Sequence, residues 1–74
     1  MQLHVKTMTA TVTLEVGSGE AIENIKSRLQ DEAGVPPAQQ RLLYGGKRLE
    51  DGHFLDDYDV PSGGTIEMVL NARG

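Results

Sequence analysis

The segment from Gly34 to Gly52 constrains the fold more than any other part of the chain, because it joins a helix stop, a turn, a short apolar strand and a second turn. Gly34 suits the left-handed conformation that ends many helices, and Pro36–Pro37 cannot continue a helix. Leu42–Tyr44 is a short apolar run that predicts a strand, and Gly45–Gly46 predicts the turn after it. The chain must therefore change from helix to strand within this segment.

Three other segments show the alternation of apolar and polar residues that is typical of half-buried strands. Met1–Lys6, Thr11–Val16 and Thr65–Leu70 each carry an apolar side chain at every second position. The link at residues 7–10 is short enough for a hairpin, yet it contains neither glycine nor asparagine. The sequence leaves the type of that turn open.

Between the predicted strands Thr11–Val16 and Leu42–Tyr44, the pattern of apolar residues changes to the period of a helix. Gly17–Gly19 breaks the second strand, and Ile22, Ile25, Lys26 and Leu29 then follow at helical spacing. This spacing predicts a helix of about three turns. Its mostly apolar face should cover the sheet.

The composition excludes several classes of protein. The 74 residues suffice for one small domain, and without cysteine the chain has no disulfide, thiolate metal site or thiol nucleophile. Cysteine-free chains fit a reducing intracellular compartment. A net charge of −4, with scattered lysines and arginines, argues against a nucleic-acid partner. No apolar run approaches the roughly 18 residues of a membrane span, so we expect a soluble monomer without a membrane partner.

The chemically reactive residues do not form a recognisable catalytic or metal site. His4 and His53 lie far apart in the sequence, without nucleophile or metal-ligand spacing around either, and we interpret both as surface residues. Asp56, Asp57 and Asp59 lack the spacing of a calcium loop, so we expect a solvated turn there. The sequence predicts neither an enzyme nor a bound cofactor.

The chain resembles ubiquitin over nearly its whole length, with one apparent deletion near Ala10. The segment from Gly34 to Gly52 looks like that of ubiquitin. The chain has the same residues as ubiquitin at Met1–Gln2, Val5–Thr7, Thr13–Val16, Ile22–Asn24, Asp57–Tyr58 and Val69–Leu70. The resemblance implies an α+β fold of the β-grasp type, a mixed sheet of four to five strands with one main helix packed across it. It also implies that the last strand lies parallel beside the first, which alternation alone does not establish. The implied domain covers residues 1–70, and a flexible tail covers residues 71–74.

The predicted helix start departs from ubiquitin. Where ubiquitin has a capping threonine, this chain has Ala21, whose side chain cannot accept a backbone N–H. Ser18 is the remaining candidate for a cap.

The resemblance implies a protein modifier that acts in the cytoplasm and nucleus. Activating and conjugating enzymes would join its C-terminal glycine to lysines of target proteins through an isopeptide bond. The implied conjugation terminus is Arg73 and Gly74, but ubiquitin ends in two glycines and this sequence in one. Asn71 also replaces an arginine that the ubiquitin-activating enzyme reads. We expect the lost charge to abolish activation by the ubiquitin pathway or to redirect the chain to another pathway.

The resemblance also implies a surface that ubiquitin-binding domains recognise. Met8, Leu43 and Val69 match the apolar patch of ubiquitin, and Val69 is out of phase with the core positions of its own strand. Single exposed apolar residues are common, so phase alone leaves an incidental valine as an alternative. Glu67 replaces a histidine of ubiquitin and adds negative charge at the rim of the patch, which should shift the preference for partners.

Ubiquitin also accepts further copies of itself on amines. Lys6, Lys26 and Lys47 match such acceptor positions, and the Met1 amine is a fourth candidate. Lys26 lies on the apolar helix face and should be buried, whereas Lys47 follows a glycine turn and is the first candidate. Solvated surface lysines without an acceptor role are an equal alternative.

A different function also fits the single glycine at the C-terminal end and the neutral Asn71. The chain would be a ubiquitin-like interaction domain excised from a longer precursor, for example by an intein-like autoprocessing element. The ordinary ubiquitin pathway would then not conjugate it.

Overall fold

The computed structural model describes residues 1–70 of the chain. The strands are β1 (Gln2–Lys6), β2 (Thr11–Glu15), β3 (Gln40–Tyr44), β4 (Lys47–Leu49) and β5 (Thr65–Leu70), and the helix α1 (Ile22–Ala33) lies between β2 and β3. Two short 3-10 helices are at Pro37–Gln39 and Leu55–Tyr58. The predicted tail, with Arg73 and Gly74, lies outside the described residues.

The five strands form one mixed sheet in the order β2-β1-β5-β3-β4. β1 pairs antiparallel with β2 and parallel with β5, and β3 pairs antiparallel with both β4 and β5. The last strand therefore lies beside the first in the middle of the sheet. This arrangement confirms the predicted α+β fold of the β-grasp type.

One hydrophobic core joins the helix to the sheet. Ile22, Ile25 and Leu29 of α1 are completely buried and belong to the same cluster as the inward-facing residues of the strands. Alternation predicted those inward positions correctly in β1 and β5. Each such side chain contributes roughly 1.5–3 kcal/mol by leaving water. The buried apolar residues of the strands are Leu3, Val5, Leu14, Leu42, Leu49, Ile66 and Met68.

The turn between β1 and β2 is organised by the hydroxyl of Thr7. The Thr7 Oγ1 donates to the carbonyl of Ala10 at 2.9 Å and accepts the N–H groups of Thr9 at 3.3 Å and Ala10 at 3.1 Å. The Thr7 N–H also donates to the Ala10 carbonyl at 2.8 Å. These bonds close the turn without a residue at positive φ. A polar side chain thus replaces the glycine or asparagine that hairpins often require.

The helix stop and the β3–β4 hairpin both depend on glycine, as the sequence predicted. Gly34 has a φ of 74° and donates its N–H to the Gln30 carbonyl at 2.9 Å. Gly45 and Gly46 have φ values of 57° and 81° and form the two-residue loop between the strands. Other residues adopt this left-handed conformation only with strain.

The start of α1 is held by backbone contacts instead of a side-chain cap. Ala21 has the extended backbone of an N-cap residue but provides no side-chain hydrogen bond. Ser18 also makes no capping bond among residues 1–70, so the expected alternative is wrong. The Ile22 N–H instead donates to the His53 carbonyl at 3.0 Å, next to an isolated antiparallel bridge between Ala21 and Phe54.

The three aspartates are exposed, as expected of a solvated turn, but their segment is partly helical. It forms the 3-10 helix Leu55–Tyr58, anchored by the fully buried Leu55. The Phe54 N–H donates to Asp57 Oδ2 at 2.9 Å, and the Tyr58 hydroxyl accepts the Glu50 N–H at 3.0 Å. Asp57 therefore caps this short helix, a role the sequence interpretation missed.

The missing cap predicts that Ala21→Ser stabilises the protein. A serine hydroxyl at this extended position accepts an N–H of the first turn, which should raise the free energy of unfolding by about 1 kcal/mol. Chemical denaturation measures this change. The matched control is Ala38→Ser, at an exposed position in the 3-10 helix Pro37–Gln39. There we expect the free energy of unfolding to change by no more than about 0.5 kcal/mol. A gain no larger than that of the control would contradict the assignment of Ala21 as an uncapped N-cap.

Candidate functional site

The face of the sheet opposite α1, which we call the outer face, carries the predicted recognition residues. Alternation along each strand turns every second side chain away from the core, and these side chains are exposed or half-buried. On the three strands nearest the predicted patch, the outer-face residues are Arg41, Leu43, Arg48, Thr65, Glu67 and Val69.

Leu43 and Val69 lie together on the outer face. In the register of β3 with β5, Leu43 pairs with Glu67 and Arg41 pairs with Val69. Leu43 and Val69 are consequently diagonal neighbours, a spacing over which larger side chains on one face can touch. Both are half-buried. Their proximity follows from the register, which the sequence alone did not provide.

Met8 reaches the same end of the sheet from the β1–β2 turn. It is 70% exposed and lines an apolar groove of about 270 Å³ together with Val35, Met68 and Leu70. Met68 and Leu70 flank Val69 in β5, so Met8 lies near the end of that strand. The groove opens toward the end of α1, where Ala33 also lines it. Met68 and Leu70 are in phase with the core-facing Ile66, so this groove lies on the side of the sheet that carries α1 and not on the outer face. That Met8 belongs to one patch with Leu43 and Val69 stays a prediction.

Charged residues surround the apolar pair of Leu43 and Val69. Arg48 pairs with Leu43, and Arg41 pairs with Val69. Glu67 pairs with Leu43 on one side and with Lys6 on the other. It therefore lies beside Leu43, between the apolar pair and Lys6. Within β1, β3, β4 and β5, Glu67 is the one acidic residue.

Among residues 1–70, Arg41 is the one outer-face residue with a buried side-chain polar atom that lacks a hydrogen-bond partner. Its Nε atom is buried and has no hydrogen-bond partner among residues 1–70. A buried donor without a partner is costly, so ordered water or another molecule would stabilise it.

The candidate amines differ in their environment. Lys6 and Lys47 are exposed. Lys26 is 9% exposed, and its Nζ lies 2.8 Å from Asp51 Oδ1, so its predicted burial is confirmed. The Met1 amine donates to the Val16 carbonyl at 2.6 Å and lies 3.3 Å from a Glu15 carboxylate oxygen.

The two histidines lie in separate parts of the fold. His4 is half-buried in β1, with its Nδ1 2.9 Å from Thr13 Oγ1. His53 precedes the 3-10 helix, with its Nδ1 3.5 Å from Asp57 Oδ2 and its ring edge-to-face with Tyr58. In residues 1–70 no three potential ligands cluster to hold a metal ion. No helix in that range is both long and apolar enough to cross a membrane.

Two exposed apolar features escaped sequence reasoning. The groove beside Met8 depends on Val35, which lies between the helix stop and the prolines. Phe54 is 49% exposed at the opposite end of α1. It is the single phenylalanine of the chain and lies outside any alternating run, and that isolation is the signal that could have drawn attention to it.

Comparisons with known proteins agree with this architecture. The model of the ubiquitin family matches residues 3–73. The chain is 35% identical to the ubiquitin-like protein NEDD8 of Dictyostelium discoideum and 36% identical to the NEDD8-like protein RUB3 of Arabidopsis thaliana. Both alignments cover 100% of this chain, and they cover 97% and 96% of the two relatives.

A longer protein contains a similar domain. The chain is 37% identical to a part of the AN1-type zinc finger protein 4 of Mus musculus, and this alignment covers 100% of the chain but 10% of that protein. The family match spans nearly the whole chain. The alignments cover nearly all of the two NEDD8-like relatives and one part of the longer mouse protein. The chain therefore belongs to the ubiquitin family.

Proposed function

We propose that this chain is a ubiquitin-like protein modifier of the cytoplasm and nucleus. It is attached through Gly74 to lysines of target proteins and is recognised through Met8, Leu43 and Val69. Membership of the ubiquitin family and similarity to NEDD8-like proteins over nearly their full lengths support the role of a modifier. It acts as a signal for other proteins and not as an enzyme.

The observation that carries the recognition surface is the register of β5 with β3. This register brings two apolar side chains, Leu43 and Val69, together on the face of the sheet that α1 does not cover. A small, shallow patch of this kind suits weak and reversible binding. Met8 adds a flexible, polarisable side chain that adapts to different partners.

The charges around the patch define the partners that it fits. Arg41, Arg48 and Lys6 favour ubiquitin-binding domains that present acidic residues around an apolar residue. Glu67 requires a hydrogen-bond donor or a cation of the partner beside Leu43, because an unpaired carboxylate is costly to bury. The preferred partner therefore combines an apolar centre and one donor with an acidic rim.

Removal of the apolar pair should abolish most of this recognition. We expect Leu43→Ala to weaken binding of small ubiquitin-binding domains about tenfold, because it truncates the centre of the patch. Val69→Thr, which keeps the shape of valine, should weaken binding less. Titration of the isotope-labelled protein, followed by NMR, measures both effects and reports whether the variants remain folded. Thr65→Ala on the same face is the matched control, and equal losses in the control and in Leu43→Ala would contradict the proposal.

The proposed conjugation terminus rests on sequence and family. The described part of the chain ends at Leu70, and Asn71 is the next residue in the sequence. Asn71 lacks the positive charge that the ubiquitin-activating enzyme recognises in ubiquitin. The NEDD8-like relatives point to an activating enzyme of a NEDD8-like pathway as the better match.

Incubation with activating enzymes and ATP tests the role of Gly74. We expect a thiol-sensitive adduct with an activating enzyme of the NEDD8-like type, and a weaker adduct or none with the ubiquitin-activating enzyme. Deletion of Gly74 should abolish the adduct, because the terminal carboxylate then belongs to Arg73, whose side chain does not fit a narrow channel that admits glycine. Asn71→Arg should increase the reaction with the ubiquitin-activating enzyme, since it restores a charge-assisted contact. An adduct that survives deletion of Gly74 would overturn the assignment.

The environments of the amines rank the acceptors for chain formation. Lys47 and Lys6 are exposed and their amines are accessible. Lys26 is buried beside Asp51, and the Met1 amine is held by a carbonyl and a carboxylate. We therefore propose Lys47 as the principal acceptor and Lys6 as the second.

Chemical acylation of the folded protein measures this accessibility. With a limiting amount of an amine-reactive ester, Lys26 should react at least about tenfold more slowly than Lys47, because its amine must first leave Asp51 by local opening. Asp51→Asn should accelerate Lys26 selectively, and Lys6 is the internal control. Peptide mass spectrometry measures the three rates. Equal rates at Lys26 and Lys47 in the parent protein would refute the ranking.

The second candidate function is a ubiquitin-like interaction domain released from a longer precursor and never conjugated. The mouse relative favours it, because there a similar domain makes up 10% of a longer protein. Such a domain would bind ubiquitin-binding domains through the same patch but form no thioester with either activating enzyme. The activation experiment therefore separates the two functions.

A further inference from the structure

Phe54 is an exposed aromatic residue at the start of α1, whereas Met8 lies near the end of that helix. Phe54 is 49% exposed, and its backbone is bridged to Ala21. The groove beside Met8 is lined by Ala33 at the other end of the same helix. A helix of this length spans about 18 Å, so one small partner cannot cover both features with a single side chain.

Ala21 and Phe54 form an apolar pair at a position where polar residues are normally favoured. Residues paired across an antiparallel bridge turn their side chains to the same side. A serine, threonine, aspartate or asparagine at position 21 would cap α1, yet alanine stands there without a capping bond. Alanine at this position leaves α1 without a side-chain cap and places an apolar methyl group beside the exposed phenyl ring of Phe54.

Two acidic residues, Glu23 and Asp56, lie two positions after Ala21 and Phe54 in the sequence. Glu23 lies in the exposed first turn of α1. Within residues 1–70, neither carboxylate takes part in a hydrogen bond or an ion pair. In contrast, the Glu20 carboxylate accepts the Gly17 N–H at 3.2 Å and the Asn24 amide at 3.2 Å. Asp56 and Glu23 therefore remain available to an external cation.

We propose that Ala21, Glu23, Phe54 and Asp56 form a second docking surface, which binds a cationic peptide segment of a partner protein. An arginine of the partner lies over the Phe54 ring and pairs with Asp56 or Glu23, and an adjacent apolar residue covers Ala21. Arginine suits this surface because its planar guanidinium stacks on aromatic rings and pairs with carboxylates. The acidic surroundings disfavour nucleic acid and acidic peptides. This surface is independent of the proposed recognition patch.

NMR titration of the full chain with a defined peptide tests the proposal. The probe is a short peptide in which arginine and leucine alternate, and the control peptide has glutamate in place of arginine. The cationic peptide should shift the backbone amide signals of residues 20–24 and 53–57, and the acidic peptide should not. Phe54→Thr should weaken binding about fivefold, through loss of the stacking contact. Asp56→Asn should weaken it and reduce its dependence on salt.

Controls make the outcome specific to Phe54. Leu70→Thr replaces another apolar residue, which is 48% exposed at the groove beside Met8, and should leave binding of the cationic peptide unchanged. Phe54→Leu keeps an apolar side chain without the ring and should bind less tightly than the parent protein. The proposal is overturned if Phe54→Thr and Asp56→Asn both bind like the parent, or if the shifts fall on the outer face. Concentration-dependent shifts at Phe54 without peptide would also overturn it, because they would identify a second copy of the chain as the occupant.

Discussion

The parallel pairing of β1 with β5 is the interaction on which the rest of the structure depends. The β1–β2 and β3–β4 hairpins share no direct pairing, and β5 joins them by pairing with β1 on one side and β3 on the other. Its register directs Ile66 and Met68 into the core and turns Glu67 and Val69 outward. A slip of one residue would exchange these two sets. The core and the proposed recognition patch therefore depend on the same hydrogen-bonded register.

The parts of the fold that were predictable are those encoded by short-range pattern. Alternation located β1 and β5 within a residue, and the spacing from Ile22 to Leu29 located α1. Strand order was not predictable in this way, because the β1–β5 contact joins opposite ends of the chain, and it came from the resemblance to ubiquitin. The 3-10 helices were missed because three or four residues are too few to show a period. The β1–β2 turn stayed open because its stabilising group is the Thr7 hydroxyl.

In the candidate site too, short-range pattern was predictable and long-range contacts were not. Val69 attracts attention because it is out of phase with its strand, but its proximity to Leu43 requires the register of two distant strands. Burial of Lys26 follows from its position on the apolar helix face, whereas its pairing with Asp51 is a long-range contact. Phe54 gave no periodic signal, and its contact with Ala21 joins two loops that are far apart in the sequence. Sequence pattern thus indicates which side chains face outward, and tertiary contacts decide which of them are neighbours.

The distribution of charge gives the two proposed surfaces opposite character. A net charge of −4 suggests a uniformly acidic protein, yet four of the seven basic residues lie on the strands that carry the outer face. Many of the acidic residues lie instead on α1 and around the Leu55–Tyr58 helix. Opposite fields at the two surfaces would steer acidic partners to Leu43 and Val69 and cationic partners to Phe54. Because the length of α1 separates Met8 from Phe54, both partners could bind at once without a conformational change.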